Sequence, residues 1–395
     1  MKTLLILGRQ SNLGLAELES LLGADHVVPF STGYALSDLP ATDIPFNRLG
    51  GSIKLCSILG SSSTTDWHSL EKEVLHHAAS LSFGTTDGKI TCGLSLYDLA
   101  VGPKDIMASG LRIKKAFKKA TGQSVRLVPN QNELTALSSA QILHNGLTHQ
   151  NGAEIVVVGS ADKAFICRTV AEQDIIAYSR RDQNRPKRDA RVGMLPPKLA
   201  QIILNLGVGQ AVPPFTVLDP FCGTGVVLQE AALLGYTLYG SDLEQRMVEY
   251  TAENLTWLND THTLAPIDVT LQTGDATAHK WNEPFGAVAA EGYLGQPFTG
   301  FPSEAKLREV THTCNQIAKG FLKNIAPQIP SDTRLCIALP AWHHPNGRFE
   351  RLKLLDQLSD LGYSRVNFIH TDAEELLYYR PDQVVARDLL VITKR

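Results

Sequence analysis

Long hydrophobic runs are missing from this 395-residue chain. Nothing in it approaches the ~20 apolar residues that carry a helix across a bilayer. The N-terminal stretch Thr3–Leu7 is short and gives way to Arg9, Gln10, Ser11 and Asn12, so it reads as a buried first strand and not as a signal peptide. Cysteine is scarce. Cys56, Cys92, Cys167, Cys222, Cys314 and Cys336 are scattered without a Cys-x-x-Cys pair, which excludes a regular disulfide framework and leads us to expect a reduced, cytoplasmic chain. His76-His77 and His343-His344 are adjacent pairs that cannot both face one metal from a regular element, so no metal site is expected. The net charge of −3 argues against nucleic-acid binding by bulk positive charge. What the chain does have is 43% hydrophobic residues, enough for a sizeable core, which excludes a disordered or collagenous protein. The length predicts two or three domains.

The distribution of charge says more than its sum. Lys104–Arg126 holds seven basic residues against the single Asp105, and Arg180–Arg191 holds six against Asp182 and Asp189. At about 100° per residue, Arg112, Lys114, Lys115, Lys118 and Lys119 form one arc of a helix, with Ile113, Ala116, Phe117 and Ala120 opposite. Such a helix packs by its apolar side and offers cations to phosphates. A charge-rich helix is more often a solvated face, but no acid balances this one between 106 and 132, and RNA binding is the reading we carry forward. Arg181, Arg185, Lys187 and Arg188 either grip a nucleic-acid backbone or pair with acidic groups at a domain boundary.

The first half reads as α+β. Strands are expected at Leu4–Leu7, Ile53–Leu59 and Ile90–Leu96, and a strand pair at Ile155–Val158 and Ala164–Thr169 around the turn Gly159–Lys163. A helix capped by Asn12 should end at Gly23, and another should span Ser69–Leu81, with Ser61–Thr65 as a polar loop. From about residue 215 strands Phe215–Asp219, Thr237–Asp242, Val269–Thr273, Ala287–Glu291 and Leu335–Leu339 alternate with helical stretches. That rhythm predicts a doubly wound α/β domain with a mostly parallel sheet. Late strands are expected at Val366–Ile369 and Leu389–Thr393, after a helix over Phe349–Leu361. The boundaries follow: an N-terminal α+β region over 1–178, a basic linker over 179–194 and the α/β domain over 195–395.

The most informative stretch is Asp219-Pro220-Phe221-Cys222-Gly223-Thr224-Gly225, which follows an apolar strand and opens a helix at Val226. Its glycines let backbone pass close to a ligand. Asp242 ends the second strand, where a carboxylate can accept both hydroxyls of a ribose. Asp275 follows the third. Asp219 ends the first strand, where it would repel a pyrophosphate but welcome an aminoacyl ammonium. Any one of these acids alone is best read as a helix cap. Three in this order suit a cationic nucleoside, which S-adenosylmethionine is. Cys222, without a histidine motif, is expected to serve packing only.

Asp219–Gly225 resembles motif I of class I amino-methyltransferases acting on nucleic acid. Arg181-Asp182, Arg185-Pro186-Lys187-Arg188 and Gly193-Met194-Leu195-Pro196-Pro197-Lys198-Leu199-Ala200 resemble the segment before that motif in THUMP-containing tRNA guanine-N2 methyltransferases. Ile6-Leu7-Gly8-Arg9, Leu15-Ala16-Glu17-Leu18-Glu19, Arg48-Leu49-Gly50-Gly51-Ser52-Ile53-Lys54 and Tyr379-Arg380-Pro381-Asp382 are similar to other parts of the same family. The resemblance implies a Rossmann-like methyltransferase domain with an antiparallel last strand, preceded by a THUMP-like RNA-capture region. It implies that Asp219, Phe221, Gly223 and Gly225 line the methionine end of S-adenosylmethionine, with Asp242 on the ribose and Asp275 on the adenine. Met194, Pro196 and Lys198 would close that site, or the segment is simply a helix start with proline in its first turn. RNA, most specifically tRNA, is the implied partner, with no membrane and no obligatory protein partner expected.

One motif departs from the family. At the end of the fourth strand the family has Asp-Pro-Pro-Tyr, whereas this chain has Glu291-Gly292-Tyr293-Leu294-Gly295-Gln296-Pro297-Phe298. An aromatic amine is a poor nucleophile until hydrogen bonds orient it and a ring stacks on its base. Glu291 can supply the oxygen and accept a proton, and Tyr293 or Phe298 the stack. Altered geometry with retained amine methylation, a different nucleophile, and loss of catalysis are all consistent with the change. We expect the first, because acid, aromatic and Gly/Pro-rich loop all persist. The expected reaction is methyl transfer to an exocyclic base amine of RNA, most specifically guanine in tRNA. The alternatives are a DNA amino-methyltransferase and an inactive RNA-binding protein.

Overall fold

A computed structural model of the protein describes residues 1–84, 89–131, 134–189, 194–262, 264–282, 284–298 and 300–395. Arg191 and Gly193 lie outside them. The chain divides into two compact units, and the division is not a single cut. One comprises Met1–Arg9, Asp25–Asn47 and Ser52–Ala177; the other Gln10–Ala24, Arg48–Gly51 and Tyr178–Arg395. No helix among the described residues is long and apolar enough to cross a membrane.

Strand β1 (Thr3–Leu7) opens the chain, and α1 (Ser11–Leu22) follows. Then come β2 (Val27–Ser31), β3 (Tyr34–Ser37), β4 (Ser52–Ser62), α2 (Trp67–Ala79), β5 (Ile90–Tyr97), α3 (Pro103–Thr121), β6 (Val125–Leu127), α4 (Ser139–His144), β7 (Gly152–Ser160) and β8 (Lys163–Glu172). The eight strands of the first unit form one sheet in the order β2-β3-β1-β4-β8-β7-β5-β6. The strand period of two sorts its apolar residues. Leu94, Leu96, Ile155, Val157 and Ile166 pack with α2 and α3 through Leu70, Val74, Ile106, Ile113 and Phe117. Val156, Val158, Phe165 and Cys167 join Leu4, Ile6, Tyr34 and Leu36 in a separate cluster.

Helix α5 (Ile175–Gln183) crosses the boundary, so the first part of the expected linker is helical. The second unit continues with α6 (Pro197–Val208), β9 (Thr216–Asp219), α7 (Val226–Leu233), β10 (Thr237–Asp242), α8 (Gln245–His262), β11 (Val269–Thr273), β12 (Ala287–Glu291), α9 (Glu304–Ile325), β13 (Arg334–His343), β14 (Phe349–Glu350), β15 (Tyr363–Arg365), β16 (Leu377–Tyr378) and β17 (Val385–Lys394). Its sheet runs β11-β10-β9-β12-β13-β17-β15. Strands β9 to β13 pair in parallel, and β17 inserts antiparallel between β13 and β15. One core joins α6 and α7 to the sheet through Leu199, Ile203, Val227 and Leu228; the other joins α9 through Leu307, Phe321 and Leu322. Helices therefore cover both faces, and the parallel strands end together on one edge at Asp219, Asp242 and Glu291. Ligands of open α/β sheets bind at that edge.

Helix α1, early in the chain, belongs to this second unit. Leu13 and Ala16 join the core of α6, and the buried Glu17 carboxylate accepts from Gly50 N at 2.9 Å, Gly51 N at 2.8 Å and Asn205 Nδ2 at 2.7 Å. The expected Asn12 cap is not made: the helix starts at Ser11 with Gln10 in the cap position, two residues earlier, and Gln10 sends its amide to Tyr379 O at 2.7 Å. Three further expectations are corrected. Strand β4 runs through Ser62, where β8 still pairs with it, so the polar loop begins later. Phe349 and Glu350 return as β14 against β13 around Gly347 (φ +82°), which replaces the expected helix by a hairpin and a short 3-10 turn at Lys353–Gln357. The strand expected at Val366–Ile369 lies upstream, as β15 over Tyr363–Arg365; Val366 N still donates to Val391 O at 3.0 Å, but Ile369 N turns to Glu19 of α1 at 2.8 Å.

Candidate active site

At the carboxyl edge of the second unit's sheet lies a cavity of about 680 Å³, within the usual range for small-ligand sites. Its lining includes Asp219, Phe221, Gly223, Asp242, Asp275, Glu291, Tyr293 and Met194.

The glycine loop is held from three directions. Gly223 (φ +53°) and Gly225 (φ +77°) take left-handed backbone. A Cβ on Gly225 would also lie 2.8 Å from Thr251 Cγ2, so this position admits only glycine. Asp219 Oδ1 accepts from Phe221 N at 3.1 Å, and Asp242 accepts from Gly223 N at 2.9 Å and Glu244 N at 3.0 Å. From α8, Thr251 Oγ1 donates to Gly223 O at 2.9 Å and Asn254 Nδ2 to Thr224 O at 2.8 Å. Asn254 also clasps the backbone of Lys187, accepting from its N–H at 2.9 Å and donating to its carbonyl at 3.0 Å. Neither Thr251 nor Asn254 belongs to a recognisable motif; polar residues on the buried side of a helix are the only signal the sequence carries for them.

The edge is acidic and partly dry. Burial pushes the Asp219 carboxyl well above its usual range, with the Asp242 and Glu291 charges adding to the effect. Burial also raises Asp242. Asp275 behaves differently, because the Thr277 hydroxyl at 2.7 Å and N–H at 2.8 Å hold it below the ordinary value. It is thus a turn cap that also lines the cavity. Arg246, on the same lining, is pinned by Asp189 and Glu244, each at 3.3 Å. Leu243 stands 70% exposed beside these acids, an apolar surface facing the cavity. Converging carboxylates beside apolar surface fit a ligand that is cationic at one point and flat elsewhere.

Glu291 has a partner that no sequence motif marks. Arg387, buried on β17, donates from Nε to Glu291 Oε1. Its one signal is a lone arginine near the start of an otherwise apolar run. Gly292 N donates to Ala338 O at 3.0 Å, extending the β12–β13 ladder by a bond that a proline could not make. Tyr293 is exposed on the cavity, whereas Phe298 is half-buried against the α9 core. Upstream, Met194 lines the cavity, Pro196 precedes the first turn of α6, and Lys198 Nζ sits 5.4 Å from the centre of the Tyr178 ring.

The basic segments are corrected in part. Arg181 forms a two-pronged pair with the buried Glu230 at 2.7 and 3.2 Å, and so cannot reach a phosphate. Arg185 is only 3% exposed, with Asp182 at 3.8 Å. Of the two readings open for this segment, Arg181 and Arg185 follow the second, pairing with acids and not gripping a backbone; the acid inside α7 takes the first of them. Lys187 Nζ pairs with Glu253 at 3.1 Å, while Arg188 is exposed and reaches Met194 Sδ at 3.4 Å. In the first unit, Lys115, Lys118 and Lys119 stand exposed on α3 and Lys114 is half-buried. Arg112 is spoken for by Glu71 of α2 at 2.7 Å, an acid outside the window from which the arc was read. Among the described residues no group of three or more His, Cys, Asp or Glu side chains is arranged to hold a metal ion.

A family model described as an RMKL-like methyltransferase domain matches residues 185–291. A probable tRNA (guanine(10)-N2)-dimethyltransferase of Methanothermococcus thermolithotrophicus is 40% identical over 132 residues, which is 31% of this chain and 74% of the relative. A tRNA (guanine(10)-N2)-dimethyltransferase of Methanothermobacter thermautotrophicus is 40% identical over 96 residues, 24% of this chain and 27% of that protein. The match spans between 27% and 40% of the length of the first three curated relatives. Among solved structures, TrmN from Thermus thermophilus superposes with a TM-score of 0.51 over 100% of both chains at 17% identity, a likeness of fold.

Proposed function

The chain belongs to the family of tRNA guanine-N2 methyltransferases, and from that membership we propose that it methylates the 2-amino group of a guanine in tRNA, in the cytoplasm, using S-adenosylmethionine. The observation that carries this reading is the row of carboxylates, Asp219, Asp242, Asp275 and Glu291, on one cavity at the carboxyl edge of the sheet. When bound, the cofactor supplies a methyl group made electrophilic by a sulfonium charge.

The chain's own residues do the rest. Asp242, already oriented by Gly223 N and Glu244 N, accepts the ribose hydroxyls. Asp219 faces the ammonium, Phe221, Gly223 and Gly225 let backbone approach the methionine end, and Asp275 and Leu243 meet the adenine. Met194 covers the site, while Pro196 and Lys198 act behind it by setting the start of α6. Glu291 accepts a hydrogen bond from the target amine, aims its lone pair and receives the proton that the amine loses. Tyr293 stacks on the base; Phe298 supports the loop from the core side. The first unit is the THUMP-like region that captures RNA, with Lys115, Lys118 and Lys119 of α3 on phosphates and Arg188 doing the same on the second unit.

The direct test supplies isotope-labelled S-adenosylmethionine with equal amounts of unmodified tRNA and DNA. Label is expected in a methylguanosine of tRNA and is expected to vanish in Glu291→Ala. Label confined to DNA would replace the RNA reading by the DNA one. Cofactor binding without transfer to either would leave an inactive RNA-binding protein, the second reading, which the altered Glu291-Gly292 motif favours. A further expectation concerns α3. Changing Lys115, Lys118 and Lys119 together to alanine should lower tRNA affinity and reduce the slope of log K against log salt by about 2–3, roughly one per lost phosphate contact. Cofactor affinity should not move. An unchanged salt slope would remove α3 from the RNA surface.

A further inference from the structure

Strand β17 is apolar apart from Arg387 and Asp388 in its first half and Thr393 and Lys394 at its end, and Arg387 is buried. It pairs through its backbone with Pro340 on β13, while Glu291 on β12 pairs with Ala338 of the same strand. The two side chains therefore meet across β13, over two strand spacings of about 4.8 Å each. Only a long side chain bridges that gap, and burying a guanidinium there is costly unless it is paired. Asp388, the next residue, takes a different cation, Arg351 Nε at 3.2 Å. Arg387 is committed to Glu291.

Among the described residues Arg387 is also Glu291's hydrogen-bond partner through Oε1, which leaves Oε2 for the cavity that Glu291 lines. A glutamate carries one more rotatable bond than the aspartate of the family's motif, and Gly292 gives the turn less stiffness than proline does. Something must fix the longer acid. The surrounding charges sharpen that need: Asp219 from β9 faces it, Asp242 from β10 lies beyond, the Tyr293 phenol follows it in the chain, and Arg387 is the cation.

We propose that Arg387 is a positioning residue: it clamps one oxygen of Glu291 so that the other faces the target amine as an anion. This inference rests on the proposed amine methylation for its consequence, though the clamp itself is testable without it. Burial pushes Glu291 up and Arg387 pulls it down. Removing the guanidinium should let the carboxyl protonate at higher pH, so that activity falls at neutral pH and returns as pH rises.

The test uses the full chain labelled with ¹³C at glutamate carboxyls, the Glu291 signal being identified by its loss in Glu291→Gln. Arg387→Met should raise the titration midpoint of that signal by about 1–2 units, which is a ten- to hundredfold loss of the ionised form at a pH below it. With tRNA, kcat at pH 7 should drop at least tenfold and recover most of the loss by pH 9, with KM within twofold. Arg387→Lys, which keeps charge and length, should hold the midpoint within half a unit while lowering kcat a fewfold, since it lacks the rigid planar fork. Should Arg387→Met not fold, Arg387→Gln, which removes the charge but keeps polar donors, carries the same test: a midpoint raised by about 1 unit supports the clamp and an unmoved midpoint overturns it. An unmoved Glu291 titration in Arg387→Met, or a loss of kcat equal at every pH, would do the same. Should the unaltered chain bind but not methylate tRNA, the proposed function fails while the carboxyl titration still decides the clamp.

Discussion

Asp242→Ala is expected to lose at least a hundredfold in affinity for S-adenosylmethionine, measured by calorimetry at constant pH. In the protein alone this carboxylate accepts from Gly223 N at 2.9 Å and Glu244 N at 3.0 Å. Its loss orphans two N–H groups and loosens the loop between the first two strands. In the proposed complex it also forfeits two hydrogen bonds to a charged acceptor, each worth about 1.5–3 kcal/mol. A hundredfold is about 2.7 kcal/mol, so the two lost hydrogen bonds suffice by themselves and the loosened loop adds to them. Asp242→Asn should lose less, about tenfold, because one oxygen remains while the amide turns a donor toward a donor. Burial raises the Asp242 carboxyl above its ordinary value. The ligand favours the anion, so affinity should fall as pH drops through that raised value and flatten above it. An affinity within threefold of the unaltered protein would remove Asp242 from the ribose.

Glu17→Ala should destabilise the second unit by about 3 kcal/mol or more near pH 5, through three donors left without an acceptor in a dry site. Glu17 is 0% exposed, and Asn205, which donates to it, in turn accepts from Arg48 Nε and Nη2, each at 3.2 Å. Burial, the dominant cause, pushes its carboxyl from 4.5 up to about 7 against the pull of those donors. The sign follows from the raised value. Between pH 4.5 and about 7 the folded state holds a proton that the unfolded chain has released, so the stability Glu17 contributes is full below 4.5 and declines as pH rises to 7. The decline amounts to about 3 kcal/mol at 1.36 kcal/mol per pH unit. The deficit of Glu17→Ala should accordingly be largest in mild acid and shrink toward neutrality. Denaturant titrations followed by tryptophan fluorescence serve here, since Trp257, Trp281 and Trp342 all lie in this unit. A deficit that grows with pH would mean that Glu17 is not buried as described.

The strands bearing the site were legible because each is a short run of apolar and β-branched residues with an acid at its end, in Asp242 and Glu291, or two residues beyond it, in Asp275. Thr237–Asp242, Val269–Thr273 and Ala287–Glu291 coincide with their expected spans. The Phe349–Leu361 segment misled because Leu352, Leu355 and Leu358 recur at helical spacing, yet the hairpin with β13 claims its start. Periodicity reports which residues are buried, and a 3-10 turn can bury Leu354 as well as a helix can. The side-chain pairs were out of reach for another reason. Arg387 and Glu291 are 96 residues apart, and Arg181 and Glu230 are 49. A window that sees only local charge counts Arg181 as a surface cation. Glu230, an acid amid the apolar residues of α7, was the available hint that a buried cation would come to meet it.

The interleaved units set a schedule for synthesis. Helix α1 leaves the ribosome with Leu13 and Ala16 ready for burial, but α6, the helix they pack against, begins at Pro197. Roughly 175 residues separate the two helices. At about 5–20 residues per second, that apolar stripe waits some 10–35 s for its partner. During that interval the growing chain exposes an unsatisfied surface, a natural target for a holding chaperone. For the same reason, a fragment beginning at Tyr178 would carry α6 with its α1-facing side bare, and supplying Gln10–Ala24 as a separate peptide should restore its solubility.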